Sequence, residues 1–227
     1  LKYISNMKIL AIDTCTEITS VTLCVDGKKL TRVLRDVPKS SGHILALCDE
    51  VFQEASISLV DLDVIAYTKG PGAFTGVRMC IGVVQGLSLA ADVPTIGFST
   101  LELLGYRASE KLKHYAIAIA LDARMGEVYW GVYRDGVLSN EKICNPSAVG
   151  KLNSEFAGVG SGWSVYEDEL RSASGVERID TELFPKSSSL IDLAYEALKS
   201  GSVASFELAQ PTYLRNNVAQ KSKKVSV

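Results

Sequence analysis

A chain of 227 residues, 47% hydrophobic and 22% charged, is long enough for one large domain or two small ones with a real core. Its net charge of −2 gives no electrostatic reason to expect an extended nucleic-acid surface, and two histidines, His43 and His114, leave no His-x-x-x-His pair or zinc-like Cys/His spacing. Five cysteines, at positions 15, 24, 48, 80 and 144, are odd in number, lack Cys-x-x-Cys spacing and sit mostly in apolar runs, which reads as reduced, buried thiols in a cytosolic protein.

Residues 1–6 read as an upstream extension without the apolar core of a secretory signal. Met7 to Asp13 is a strand ending in a carboxylate. Ser20 to Val25 and Lys28 to Leu34 are two more strands, joined by the hairpin signal Asp26-Gly27. Ser41 to Ala55 is helical, with an apolar arc of about 160 degrees against the roughly 100 degrees that a core-facing helix requires. Asp63 to Tyr67 is a short buried strand, and Gly70-Pro71-Gly72-Ala73-Phe74-Thr75-Gly76 turns it into a helix from Val77 to Ala91. Such a turn can cradle an anion on free N–H groups. It lacks the Gly-Lys-Ser/Thr ending of a P-loop and is read as a tight turn.

That helix is unusual. On a wheel of about 100 degrees per residue, Val77, Ile81, Val84 and Ser88 share one side, while Met79, Gly82, Val83, Gly86, Leu87 and Ala90 cover most of the rest. Only Arg78 and Gln85 mark a polar strip. A helix apolar nearly all round must be buried on more than one side, either centrally in its own domain or against a partner. Its uncharged run, Met79 to Ala91, falls short of the roughly 20 residues of a membrane span, so no membrane association is expected.

Val93 to Phe98 is another strand, and Ser99-Thr100 supplies an N-cap for a helix from Leu101 to Lys113. The pattern then restarts. Tyr115 to Asp122 is an apolar strand ending in Asp, followed by Glu127 to Tyr133 and by Asp135-Gly136. Asp122 follows Asp13 by 109 residues, and Asp135 follows Asp26 by the same 109, which argues for a duplicated unit whose Asp13 and Asp122 face a cleft between lobes. Glu155 to Trp163 reads as a strand entering a glycine turn. Ser187-Ser188-Ser189 reads as the N-cap cluster of a helix from Leu190 to Lys199, ended by Ser200-Gly201, and the chain closes on Pro211 to Arg215 and a lysine-bearing tail.

Three stretches together, Met7 to Thr14, Gly70 to Arg78 and Asp122 to Trp130, with Pro211 to Arg215 as a fourth, resemble the bacterial TsaB (YeaZ) family over almost all of residues 7–217. The resemblance implies an α/β chain with the actin/Hsp70-like ATPase fold, in two related lobes: residues 7–105, and residues 106–227 with a C-terminal segment able to pack back on the first. It implies a non-catalytic dimerising and stabilising subunit in synthesis of threonylcarbamoyladenosine beside the tRNA anticodon. The implied partners are a TsaD-like catalytic paralogue and a TsaE-like ATPase, with tRNA reached through the complex and a homodimer when alone. ATP and a metal are expected on the partner, with no cofactor on this chain and no catalytic or metal residues. The alternative is an active metal-dependent glycopeptidase or ATPase of the same fold. Against it, neither histidine has the neighbour a metal pair requires, and no glycine follows Asp13 until Gly27. Asp13 and Asp122 read as turn caps, with magnesium orientation the other option.

The expected partner interface is the outer side of two neighbouring helices, with Leu45, Cys48, Phe52, Met79 and Val83 supplying area and Gly82, Gly86 and Ala90 forming a groove for close helix approach. Tyr213, Leu214 and Arg215 are expected assembly contacts.

Overall fold

The computed structural model describes residues 7–35, 40–202 and 209–214. Among these residues ten strands form two five-stranded sheets. The first runs β3-β2-β1-β4-β5, from β1 (Ile9–Asp13), β2 (Ile18–Val25), β3 (Lys28–Arg35), β4 (Val64–Thr68) and β5 (Thr95–Phe98). The second comprises β6 (Ala116–Asp122), β7 (Val128–Arg134), β8 (Val137–Cys144), β9 (Ala157–Val159) and β10 (Arg178–Asp180), and runs β8-β7-β6-β9-β10 in the same sense. Each sheet is an antiparallel meander of three strands extended by two parallel ones. The equal spacing of the two Asp and Asp-Gly signals thus marks two copies of one topology, in separate sheets. Asp26 and Gly27 have φ of 49° and 77°, Asp135 and Gly136 of 49° and 86°. Two positive φ values at the centre of a two-residue loop are what a type I′ hairpin demands, and Asp-Gly is the pair that accepts them most readily.

The first sheet is covered on both faces. Leu10, Ile12, Val21, Leu23, Ile65 and Tyr67 meet α1 (Ile44–Ala55) and α2 (Phe74–Ala91), while Ile9, Ala11, Cys24, Val64 and Ala66 meet α6 (Ser187–Lys199) and Leu103 of α3 (Thr100–Leu112). On the second sheet, Ile117, Ile119 and Tyr133 pack on Leu101, Leu104 and Ala108 of α3. Its other face packs on α4 (Ser161–Val165) and α5 (Glu167–Ser174), where Trp163 donates from Nε1 to the Ala118 carbonyl at 3.1 Å. Helices are therefore exchanged between the lobes: α3, following β5, lies mainly on the second sheet, and α6, following β10, returns to the first. Residues 105 and 106 both fall inside α3.

Ser99 caps α3 as expected, its Oγ accepting from the Leu101 N–H at 3.1 Å. The serines of α6 act differently. Its N-cap position is Lys186, without a side-chain cap, and Ser187 ties the helix to the first lobe instead: its N–H donates to Ser20 Oγ at 2.9 Å and its hydroxyl lies 2.7 Å from that of Thr22. Buried hydroxyls facing the helix start offer Ser187 a partner that an exposed helix end would lack.

Candidate functional site

Three features meet at the start of α2. The first is a lock between the β1–β2 loop and the glycine turn. The Ala73 N–H donates to the Cys15 carbonyl at 2.7 Å, and Thr14 Oγ1 to the Gly76 carbonyl at 2.7 Å. A Cβ on Gly72 would sit 1.9 Å from the Cys15 oxygen, and one on Gly76 2.1 Å from the Thr14 oxygen. These two glycines are therefore required by contact between two backbones, and the Ala73 amide serves that contact instead of a ligand.

Asp13 lies beneath this lock, fully buried. Its Oδ1 accepts from Thr68 Oγ1 at 2.7 Å and from the Cys15 N–H at 3.2 Å, while Oδ2 has no hydrogen-bond partner. Burial disfavours the charged form and raises the carboxyl from 3.8 to about 6, and the bonds from Thr68 and Cys15 oppose that rise. The Cys15 thiol, buried and beside Asp13, is raised to about 12, which leaves it inert as a nucleophile. Asp122 closes the equivalent turn: its Oδ1 accepts from the Arg124 N–H at 2.8 Å, two residues on, as Asp13 does from Cys15. Both aspartates thus cap Asx-type turns. Their exposure to a cleft differs from expectation, since Asp122 lines it and Asp13 is sealed off by the loop 14–17 and the glycine turn.

The second feature is that cleft, about 580 Å³, between the lobes. Its walls carry Phe74, Val77, Arg78, Tyr213 and Leu214 on one side and Leu121, Asp122, Arg124, Tyr129 and Ser161 on the other. Arg124 bonds Asp122 Oδ2 at 2.9 Å and reaches Glu17 across the lobes at 3.7 Å. The Arg78 guanidinium stacks 3.1 Å from the Phe74 ring centroid and 5.1 Å from that of Tyr213. Residues 209–214 form a strap along the first lobe: Ala209 is fully buried, its carbonyl accepts from Gln85 Nε2 at 2.8 Å, and the Thr212 N–H donates to the Lys69 carbonyl at 2.7 Å. Tyr213 and Leu214 therefore stand at the cleft; Arg215 lies outside the described residues. Among the described residues no group of three His, Cys, Asp or Glu side chains could hold a metal ion.

The third feature is the outer face of α2. Val77, Ile81, Val84 and Ser88 are buried, the side that the wheel marked, together with Gly76 and Cys80, while Val83, Leu87 and Ala91 are half-buried against the core at its margin. Met79 is 38% exposed and Leu89 63%; Gly82, Gly86 and Ala90 are exposed, and nothing lies within 4 Å of a Cβ built on either glycine. Leu45 of α1 is 55% exposed, while Phe52 and Val83 are half-buried against the core. Cys48 does not belong to this surface: it is buried in the core beside Leu47 and Val51. A wheel shows an arc's width, and Cys48 occupies its inner half. Leu89 and Phe74, both exposed, were missed as surface members: the all-round apolarity of the helix pointed to Leu89, whereas Phe74 was read into the turn, the helix beginning there and not at Val77.

The family profile described as "TsaD: tRNA N6-adenosine threonylcarbamoyltransferase" matches residues 38–223. The "tRNA threonylcarbamoyladenosine biosynthesis protein TsaB" of Escherichia coli (strain K12) is 37% identical over 225 residues, 95% of this chain and 97% of the relative. The chain belongs to the TsaB/YeaZ family. The TsaB of Haemophilus influenzae is 34% identical over 233 residues, covering 95% of this chain and 97% of that protein. The solved structure "YeaZ from Pseudomonas aeruginosa" superposes with a TM-score of 0.82 at 35% identity, covering 90% of this chain and all of that one. Membership in this TsaD-related family and the two mixed sheets agree with the actin-like fold implied by the sequence. α2 is long and apolar enough by composition to cross a membrane, but its inner face is packed on β1 and β4 as a helix of the first lobe.

Proposed function

We propose that this TsaB-family chain is a non-catalytic, dimerising and stabilising subunit in synthesis of threonylcarbamoyladenosine in tRNA. It pairs with a TsaD-like catalytic paralogue in the cytoplasm, forms a homodimer when alone, and works with a TsaE-like ATPase, ATP and a metal being held by the partners. The observation that carries this reading is the exposed apolar face of α2 and α1, where Leu45, Met79 and Leu89 stand in solvent beside two glycines with open space above them. Each large side chain fully buried contributes roughly 1.5–3 kcal/mol, so a helix packed on this face has a substantial drive to associate. Glycines there let helix backbones approach closely. The glycopeptidase or ATPase alternative is disfavoured by the sealing of Asp13 away from the cleft and by the lack of a metal-ligand group among the described residues.

The test is Gly86→Arg, which fills the open groove with a long cation and meets no atom within 4 Å at its Cβ. The variant stays folded and unfolds cooperatively, loses the homodimer in sedimentation, and fails to support tRNA modification by the reconstituted complex. An unfolded variant would place the face in the monomer core; unchanged assembly would place the interface elsewhere.

A further inference from the structure

The charges at the two ends of α2 stand the wrong way round for an isolated helix. Asp92 is its C-cap residue, in left-handed conformation at φ 51°, where the macrodipole is negative; no acidic residue occupies the first turn and no basic residue the last. Arg78, one turn in from the N-terminal end, adds a cation near the positive pole. Both side chains are exposed, and neither forms an ion pair with another described residue. The contacts recorded for Arg78 are with the rings of Phe74 and Tyr213, which hold its guanidinium in place with its N–H edge unpaired.

On the helical wheel, Gly82 and Gly86 lie near the middle of the exposed arc, and Arg78 and Asp92 fall on the same flank of it, the one beside the strap 209–214. A two-fold axis perpendicular to α2 and passing beside Gly82–Gly86 reverses the direction of the second helix and keeps each flank facing its own copy. Arg78 lies six residues before the midpoint at residue 84, and Asp92 eight after it. At 1.5 Å per residue these are about 9 and 12 Å from the crossing, a mismatch well within the reach of an arginine side chain.

We propose that α2 crosses a second copy of this chain antiparallel at Gly82–Gly86, and that Arg78 of each copy sets the register by pairing with Asp92 of the other. The inference rests on reading this face as an interface, and it adds which residues fix its direction. The symmetric pair makes two Arg–Asp contacts and brings each helix's misplaced charge to the opposite end of its neighbour's dipole. A parallel arrangement would instead bring the two Arg78 side chains to the same end of the contact and leave both aspartates beside each other.

The experiment is a charge-swap cycle on the full chain, read by analytical ultracentrifugation, with thermal melting as the check on folding. Arg78→Asp and Asp92→Arg each replace two attractions with two repulsions, and each weakens self-association by roughly tenfold or more. The double variant Arg78→Asp/Asp92→Arg restores wild-type affinity, and a one-to-one mixture of the two single variants forms mixed dimers in preference to either homodimer. A double variant as weak as the singles, singles as tight as wild type, or a monomeric wild type overturns the proposal. Gly86→Arg in the same series separates the two levels. If it dissociates the dimer while the charge variants do nothing, the face is the interface and the antiparallel register is wrong; if it too is without effect, the reading of the face fails.

Discussion

Replacing Asp13 by Asn isolates the energetic consequence of burying a carboxyl whose Oδ2 has no partner. The folded carboxyl sits at about 6 and the unfolded one near 3.8. Between those values the folded state holds a proton that the unfolded state has lost, so stability falls as pH rises through the window and levels off above it. At 1.36 kcal/mol per unit, the difference amounts to about 3 kcal/mol by neutral pH. Asn keeps an oxygen for the Thr68 hydroxyl and the Cys15 amide and cannot ionise, but it leaves an unpaired buried N–H₂, at a cost of roughly 1–3 kcal/mol at every pH. The quantity to measure is therefore the difference between variant and wild type in urea or thermal unfolding from pH 4 to pH 7.5, in which all other titrating groups cancel. The Asn variant is the less stable of the two at pH 4, gains on the wild type by about 3 kcal/mol across the window, and equals or overtakes it near neutrality. For a chain of this length that gain moves the difference in melting temperature by about 6–12 °C. A difference that stays flat, or that grows in favour of the wild type as pH rises, would refute the reasoning. The second result would mean that ionised Asp13 has a cationic partner, as a metal-binding strand end would.

Gly72→Ala drives a methyl group into the Cys15 carbonyl at 1.9 Å, so the loop 14–17 or the turn must move; it destabilises by about 3 kcal/mol or more, measured by urea denaturation, because backbone atoms cannot step aside as side chains do. Ser187→Ala removes the hydroxyl contact with Thr22 but leaves the backbone donation to Ser20, and costs about 1 kcal/mol, since Thr22 retains the Thr31 hydroxyl at 3.0 Å. A loss several times larger would show that this contact governs docking of α6.

Local signals carried most of the frame. Each hairpin was announced by an apolar strand, an Asp, and an Asp-Gly pair whose backbone demands few other residues satisfy, and the inner face of α2 followed from the helical period alone. What escaped was either short or non-local. α4 has five residues and α5 eight, too few turns for a periodicity to stand out, and α5 is rich in charge. The exchange of α3 and α6 between sheets depends on which face each strand leaves uncovered, which no window of sequence contains. The cleft between the lobes was expected, but its lining was hidden: Arg78 was visible only as a polar strip, and its neighbours Phe74 and Tyr213 are 139 residues apart in the chain. Asp13 shows the same limit in another form, because its place at a strand end was legible while its sealing depends on a contact with a turn some 60 residues away.

The apolarity of α2 acquires its meaning from how firmly the helix is held. Its inner side chains are fixed on β1 and β4, its first turn is clamped by the loop 14–17, and its flank is bonded to the strap through Gln85 and stacked on it through Arg78. A surface restrained from three directions loses little freedom when a partner covers it, so more of the burial energy of Leu45, Met79 and Leu89 reaches the binding free energy than a flexible patch of equal area would deliver. The same restraints account for the elements that look like remnants of ligand chemistry. The glycine turn and Asp13 are spent on positioning α2, one by permitting backbone contact and the other by capping the loop that makes it. A change in either should therefore be felt first as a shift of the outer face, before any effect within the cleft.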